Sequence, residues 1–194
     1  MSAPQDPVLI DVPERLDGER TLLLAPRAGL GAEMAVVITQ SLSHLRPWMP
    51  WAQDAPTAES SELVVRRMQA DFITRRDLCF QIYARRADGS PGRLLGGTGL
   101  HRIDWTVRRF EIGYWIRPEA AGQGHVGEAV RLLTALAFDV LGARRVEIRC
   151  DPRNVKSRAV AERCGFELEG VLRNNVLGVD GHARDTCVYA RITA

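Results

Sequence analysis

The sequence predicts an α/β fold: a mixed β-sheet, antiparallel in its first part and parallel at a later crossover, with helices on both faces. Three observations carry that prediction. Two early runs repeat apolar residues at helical spacing, three strand-like runs then follow one another across short turns, and a strand–helix–strand–helix order comes after them. With 194 residues, the chain is long enough for one well-packed domain, and no linker or repeat divides it.

Residues 1–18 hold prolines and acids without a sustained period and read as a lead-in arm. Thr21-Leu22-Leu23-Leu24 reads as a first strand, stopped by Pro26 and Gly29. From Leu30 to Leu45, Met34, Val37, Ile38, Leu42 and Leu45 recur at helical steps until Pro47 ends the run. The next segment, Arg46-Pro47-Trp48-Met49-Pro50-Trp51, sets two tryptophans between prolines. Such a loop fits either the wall of a cavity or an apolar clasp between helices. Thr57, or alternatively Ser60, caps a second helix with Leu63, Val64, Met68 and Phe72 on its apolar face.

Cys79–Arg85, Leu94–Ile103 and Phe110–Ile116 follow as strands of an antiparallel meander. A helix from about Gly124 to Leu141, a strand Val146–Cys150, a helix Val155–Cys164 and a final strand pair complete the chain. This order demands a crossover with parallel neighbours, in a sheet of about seven strands.

Composition excludes some classes of function. An apolar fraction of 45% and a charged fraction of 26% are those of ordinary globular proteins. With 26 basic against 24 acidic residues, the net charge of +2 argues against direct nucleic-acid binding. Cys79, Cys150, Cys164 and Cys187 form no CxxC pair and read as reduced thiols of a cytoplasmic protein, not as a disulfide framework or zinc site. Neither a cationic leader with an apolar core nor a membrane-length apolar run is present, and no metal-ligand cluster stands out.

The chemistry concentrates after the third meander strand. Trp115-Ile116-Arg117 leads through Pro118 into Gly122-Gln123-Gly124-His125-Val126-Gly127-Glu128, which opens the long helix. The first turn of a helix presents unpaired N–H groups and the positive end of the macrodipole, and the glycines let a phosphate or pyrophosphate approach. The formal GxGxxG match, with Glu147 some 20 residues on, does not make a dinucleotide fold. Pro118 and three more residues part strand from glycine, and several strands come before it. A second motif follows the next strand. Asn154 reads as a helix cap and Gly165 as a helix stop, which places Ser157 in the first turn at a ligand-gathering sheet end.

Together, Glu111-Ile112-Gly113-Tyr114-Trp115, the loop Gly122–Ala129, Asn154-x-x-Ser157 and Gly165-Phe166-x-Leu168-Glu169-Gly170 resemble the GNAT acetyltransferase superfamily. Within it the chain is most similar to the Rim-type ribosomal-protein N-terminal acetyltransferases. The early Trp48–Trp51 and late Val188–Ile192 segments fit the same subgroup. The resemblance implies a mostly antiparallel sheet that splays to admit acetyl-coenzyme A as co-substrate. It implies Trp115, Ile116 and Arg117 against the acyl-pantetheine arm, and Gly122, Gln123, Gly124, His125, Gly127 and Glu128 around the pyrophosphate. Asn154 and Ser157 flank the thioester, with Ser157 bonding the departing thiolate.

Trp48 and Trp51 shape the acceptor pocket on this reading, and a homodimer is implied. One departure stands out. The carboxylate that Rim-type enzymes carry after the Leu-Glu-Gly turn is missing from Arg173-Asn174-Asn175-Val176-Leu177. Glu111 is the substitute base, unless it pairs with Arg108 or Arg109; His101 and Asp185 are weaker candidates. The expected reaction is acetyl transfer to a primary amine, chiefly the α-amine of a protein N-terminus. Its competitors are a small-molecule amine acetyltransferase, a non-catalytic acyl-coenzyme A-binding module and, last, a nicotinamide enzyme.

Overall fold

The computed structural model describes residues 6–193. Its elements are β1 (Arg15–Asp17), β2 (Thr21–Leu24), α1 (Gly31–Leu45), α2 (Ala58–Ile73), β3 (Leu78–Arg85), β4 (Pro91–Asp104) and β5 (Arg109–Ile116). They continue with α3 (His125–Ala135), β6 (Arg145–Cys150), α4 (Val155–Arg163), β7 (Glu167–Leu177) and β8 (Ala183–Ile192). The sheet has eight strands in the order β1-β2-β3-β4-β5-β6-β8-β7, one more than expected. The extra strand comes from the lead-in arm, where Arg15–Asp17 pairs antiparallel with Leu22–Leu24. Three residues are too few to show a period. Residues 1–5 of that arm lie outside the described residues.

The two alternatives for the cap of α2 are halves of one capping box. Thr57 Oγ1 accepts from the Ser60 N–H and Ser60 Oγ from the Thr57 N–H, each at 3.0 Å. The buried stripe of α2 runs through Ser61, Val65 and Phe72, which leaves Leu63 and Val64 exposed, contrary to expectation. The helix expected to reach Leu141 is α-helical through Ala135 and then widens into one π turn, Leu136–Val140, before Gly142 at φ +63°.

Every strand pair is antiparallel except β5–β6. That parallel pair positions the site. It is joined only at Arg109–Arg145, Phe110–Val146 and Glu111–Glu147. Beyond it, β5 stays with β4 as far as Ile116 and β6 stays with β8 as far as Cys150. The sheet therefore parts into a wedge between Ile112–Ile116 and Ile148–Cys150. On one side of it Phe110, Ile112 and Ile116 bury themselves against Ala129 and Leu133 of α3, Ala137 of the π turn and Ala161 of α4. On the other, Trp115 joins Met34 and Val37 of α1 and Val65 of α2. Among the described residues, no helix is long and apolar enough to cross a membrane.

Glu147 closes the joined end of the wedge. Its buried carboxylate accepts from Arg145 Nε at 2.6 Å and Arg149 Nε at 2.9 Å. Burial alone pushes a carboxyl pKa up, but the two guanidinium bonds outweigh it and hold Glu147 below its ordinary value of 4.5. The stability tied to this group is therefore present above pH 4.5 and lost as pH falls through the lowered folded value. Glu147→Gln is expected to lower the urea midpoint at pH 7 and to flatten its fall below pH 4.5, read from denaturation curves across that range.

Candidate active site

The free edge of β5 follows from strand alternation. Arg117 N–H donates to Leu95 O at 2.8 Å, Thr98 Oγ1 donates to Gly113 O at 2.8 Å, and the Trp115 carbonyl lies against Gly96. Gly113, Trp115 and Arg117 thus turn their backbone groups toward β4. Tyr114 and Ile116 turn theirs into the wedge. Of the three residues expected on the acyl arm, only Ile116 offers its backbone there. Arg117 is also taken up by its side chain, which is buried and bonds Gln40 of α1, Leu94 O and Glu119.

The glycine loop fits a phosphate guest. After one 3-10 turn, Pro118–Ala120, the backbone takes φ +77° at Gly122 and +88° at Gly124, and Gly124 caps α3 without a side chain. A Cβ at Gly122 would meet nothing within 4 Å, so this glycine is needed for its backbone and the space above it is open. A Cβ at Gly127 would make only ordinary contacts, 3.5 Å from Arg131 Nη1 and 3.9 Å from Cys164 Sγ, so packing does not require glycine there. Arg20 and Arg131 line the cleft beside the loop, with Arg20 Nη1 donating to Gln123 O at 3.2 Å.

Two expected ligands of the pyrophosphate turn away. Glu128 is buried and accepts from Glu19 N–H at 2.6 Å and Arg20 N–H at 3.3 Å, which ties the β1–β2 turn to the helix. Gln123 folds its amide back onto Glu119 O. His125 lines the cleft and bonds Thr21 Oγ1 at 2.9 Å; burial lowers its pKa and keeps the imidazole neutral.

Across the wedge, Asn154 Oδ1 accepts from the Ser157 N–H at 3.1 Å and caps α4. The Ser157 hydroxyl stands 3.0 Å from Tyr114 Oη, and the Tyr114 hydroxyl also donates to Ser157 O at 3.1 Å. Burial drives the Tyr114 pKa up, so the phenol keeps its proton. Tyr114 was visible only as part of a motif, with no sign that it meets Ser157.

Tryptophans wall the opposite face. Trp51 meets Trp115 edge-on with ring centroids 5.9 Å apart, and Trp48 lines the same cleft. Their loop is braced by Arg46 Nε on Gln53 O at 2.9 Å and, from the far side of the cleft, by Arg184 Nη1 on Pro47 O at 2.9 Å. Glu111 sits here between Arg102 at 3.6 Å and Arg149 at 3.5 Å; burial raises its pKa and the two arginines oppose the rise. The expected alternative partners are engaged elsewhere, Arg108 with Leu141 O and Arg109 with Asp104. Asp185 accepts from the Asn174 N–H, a bond internal to the β7–β8 pair. His101 pairs with Asp77 at 2.9 Å, and the side-chain nitrogen, oxygen and sulfur atoms of Asp77, Cys79 and His101 lie within 4.8 Å of one another, a cluster the sequence did not reveal.

The cleft measures about 1870 Å³, beyond the 300–1,000 Å³ usual for one small ligand. It has room for two substrates. Residues 21–167 match the family model described as an acetyltransferase (GNAT) domain. The putative ribosomal N-acetyltransferase YdaF of Bacillus subtilis (strain 168) is 36% identical over 162 residues, 81% of this chain and 82% of that one. The microcin C7 self-immunity acetyltransferase MccE, solved with acetyl-CoA and AMP, superposes with a TM-score of 0.83 at 26% identity, covering 91% of this chain and 94% of its own. The ribosomal L7/L12 α-N-protein acetyltransferase RimL, solved with coenzyme A, shares the fold at a TM-score of 0.84 and 22% identity, over 92% and 98% of the two chains. The wedge, the glycine loop and these likenesses converge: the chain belongs to the GNAT acetyltransferase family and is an acetyl-CoA-dependent N-acetyltransferase.

Proposed function

We propose that the acceptor is the α-amino group of a protein N-terminus, with ribosomal proteins as the class of target. The observation that carries this reading is the charge of the acceptor side. Its carboxylates are already matched: Glu111 by Arg102 and Arg149, Asp151 by Arg153 and Arg184, Asp185 by a backbone N–H. A polyamine would leave its further cations unpaired there, whereas a peptide terminus brings only one. The names of YdaF and RimL point the same way. At pH 7.4 about a quarter of an α-amine of pKa 7.7–8.0 is neutral, against about a thousandth of a lysine amine near 10.4.

In this reading the amine enters past Trp48 and Trp51 and attacks the thioester directly. The N–H groups of Tyr114 and Ile116 face its carbonyl, and the Ser157 hydroxyl bonds the departing thiolate. The half-buried Cys150 also lines the wedge, but burial pushes its thiol up to about 11, which leaves too little thiolate for an acyl-enzyme. Gly122, Gly124, His125 and Gly127 hold the pyrophosphate, with Arg20 as an added cation. Arg20→Ala is expected to raise KM for acetyl-CoA about tenfold. It should leave KM for S-acetylpantetheine, which lacks the pyrophosphate, unchanged in the same thiol-release assay.

A second reading has its own support. Trp51 is 52% exposed at the cleft, and MccE was solved with AMP, so a small amine bearing a planar ring is the rival acceptor. We place the enzyme in the cytoplasm, on its four free cysteines, and as a homodimer, on the edge strand β7 with its exposed Leu168, Val171, Leu172, Val176 and Leu177.

The deciding experiment follows thiol release from acetyl-CoA with peptides bearing free Ser, Ala or Met termini. N-blocked peptides containing lysine serve as controls. Turnover with free termini alone is the expected result. Absence of turnover with any peptide, while acetyl-CoA still binds, gives the assignment to small amines.

A further inference from the structure

We propose that the imidazole of His101, held in place by Asp77, removes the proton from the attacking amine. The proposal deepens the reading above and depends on it only for the identity of the amine. His101 and Glu111 are partner residues across β4 and β5, on the face that carries the tryptophans. The imidazole lies flat in a slot made by two glycines. A Cβ at Gly99 would come within 2.9 Å of His101 Cε1, and one at Gly113 within 2.9 Å of Cδ2 and 3.1 Å of Nε2. Neither position tolerates a side chain while the ring is there. The ring thus bridges the two strands, with Nε2 over Gly113, two residues beyond the last joined position of the wedge.

Its other nitrogen is fixed from the far side. His101 Nδ1 stands 2.9 and 3.0 Å from the two Asp77 oxygens. A carboxylate only accepts, so Nδ1 carries the hydrogen and Nε2 keeps a lone pair facing the cleft. Cys79 Sγ donates to Asp77 Oδ1 at 3.1 Å, and burial keeps that thiol protonated and able to donate. Glu111 is the poorer base because Arg102 and Arg149 both compete for its lone pairs. The charged or titratable groups facing His101 are Asp77 just before β3, Cys79 on β3, Arg102 on β4, Glu111 on β5, and Glu147 with Arg149 across the joined end on β6.

The step balances without a further reactant. The amine nitrogen forms its bond to the acyl carbon, the C–S bond breaks with its electrons on sulfur, and the amine proton passes to His101 Nε2. That proton then returns to solvent, while the thiolate leaves hydrogen-bonded to Ser157.

The test compares His101→Gln, His101→Ala, Asp77→Asn and Glu111→Gln, using a peptide with a free Ala terminus and, separately, the slow hydrolysis of acetyl-CoA without peptide. Water needs the same base as the amine, so hydrolysis does not depend on knowing the acceptor. His101→Gln is expected to lose about 10²-fold in kcat/KM and in hydrolysis, with acetyl-CoA affinity and thermal unfolding retained. The acidic limb of its pH profile disappears. 4-Methylimidazole restores part of the rate to His101→Ala, Asp77→Asn displaces the limb, and Glu111→Gln keeps it.

An intact acidic limb in His101→Gln, or loss of that limb in Glu111→Gln alone, overturns the assignment. So does loss of turnover on chelation, which would make Asp77, Cys79 and His101 a metal site. Failure of the N-terminal reading shows differently, as no peptide turnover in the unaltered enzyme while hydrolysis still depends on His101.

Discussion

Ser157→Ala is expected to lower kcat by about 10²- to 10³-fold while Kd for acetyl-CoA and KM for the peptide stay near their original values. The substitution removes little besides the hydroxyl. The backbone N–H that Asn154 caps is kept in alanine, and so is the carbonyl that receives the Tyr114 hydroxyl. What goes is the group 3.0 Å from Tyr114 Oη at the wedge, the one proposed to bond the departing thiolate. A thioester with a better leaving group separates chemistry from positioning. With an aryl thioester, whose thiolate needs little stabilisation, the penalty should shrink to a few fold. An equal loss with both thioesters would sink the leaving-group role and make Ser157 a positioning residue.

Gly96→Ala is expected to have the largest effect on folding, with a loss of about 3 kcal/mol. The new Cβ would lie 2.8 Å from Ile116 Cα and closer still to the Trp115 carbonyl oxygen. Both are backbone atoms of the paired strand, so no rotamer can yield and β4 must move from β5. At this chain length such a loss lowers Tm by roughly 6–12 °C. Activity should fall with it, because β4 holds β5 in register and the free edge of β5 is the one proposed to face the thioester. Gly122→Ala provides the contrast. Its Cβ meets nothing, so the cost is only the strain of φ +77°, about 1–2 kcal/mol, and the damage should fall on acetyl-CoA binding. A Gly96→Ala protein that melts within 2 °C of the original would contradict the strand contact, given the ordinary cost of overpacking of about 1–3 kcal/mol.

Helices and long strands were readable because their periods repeat over many residues. The rejection of a dinucleotide fold held for a local reason: β5 ends at Ile116, and a separate turn at Pro118–Ala120 intervenes before the first loop glycine. Directions of side chains were not readable. Glu128 occupies the turn expected of a phosphate ligand, yet it points at the β1–β2 turn, whose position depends on a three-residue strand. Trp115, on β5, and Arg117, just past its end, turn their backbone groups to β4 and not into the wedge, and alternation can be counted only once one hydrogen bond is known.

The Asp77–His101 pair was hidden in the same way. Twenty-four residues separate its members, and their meeting rests on a β3–β4 register that contains bulges. The bare glycines at 99 and 113 were the available clue, as two gaps on neighbouring strands that something flat had to fill.

The wedge between β5 and β6 has a kinetic consequence. It is open on both faces of the sheet, with Ser157 and Tyr114 on one and the tryptophans on the other. Neither product blocks the exit of its companion, so free coenzyme A and the acetylated amine can depart in either order. In the proposed direct attack both reactants must nonetheless be present together, since the raised thiol of Cys150 is poorly suited to hold the acetyl group between turns. Double-reciprocal plots at several fixed amine concentrations should therefore intersect instead of running parallel, and each product alone should inhibit without locking the enzyme in a dead-end sequence.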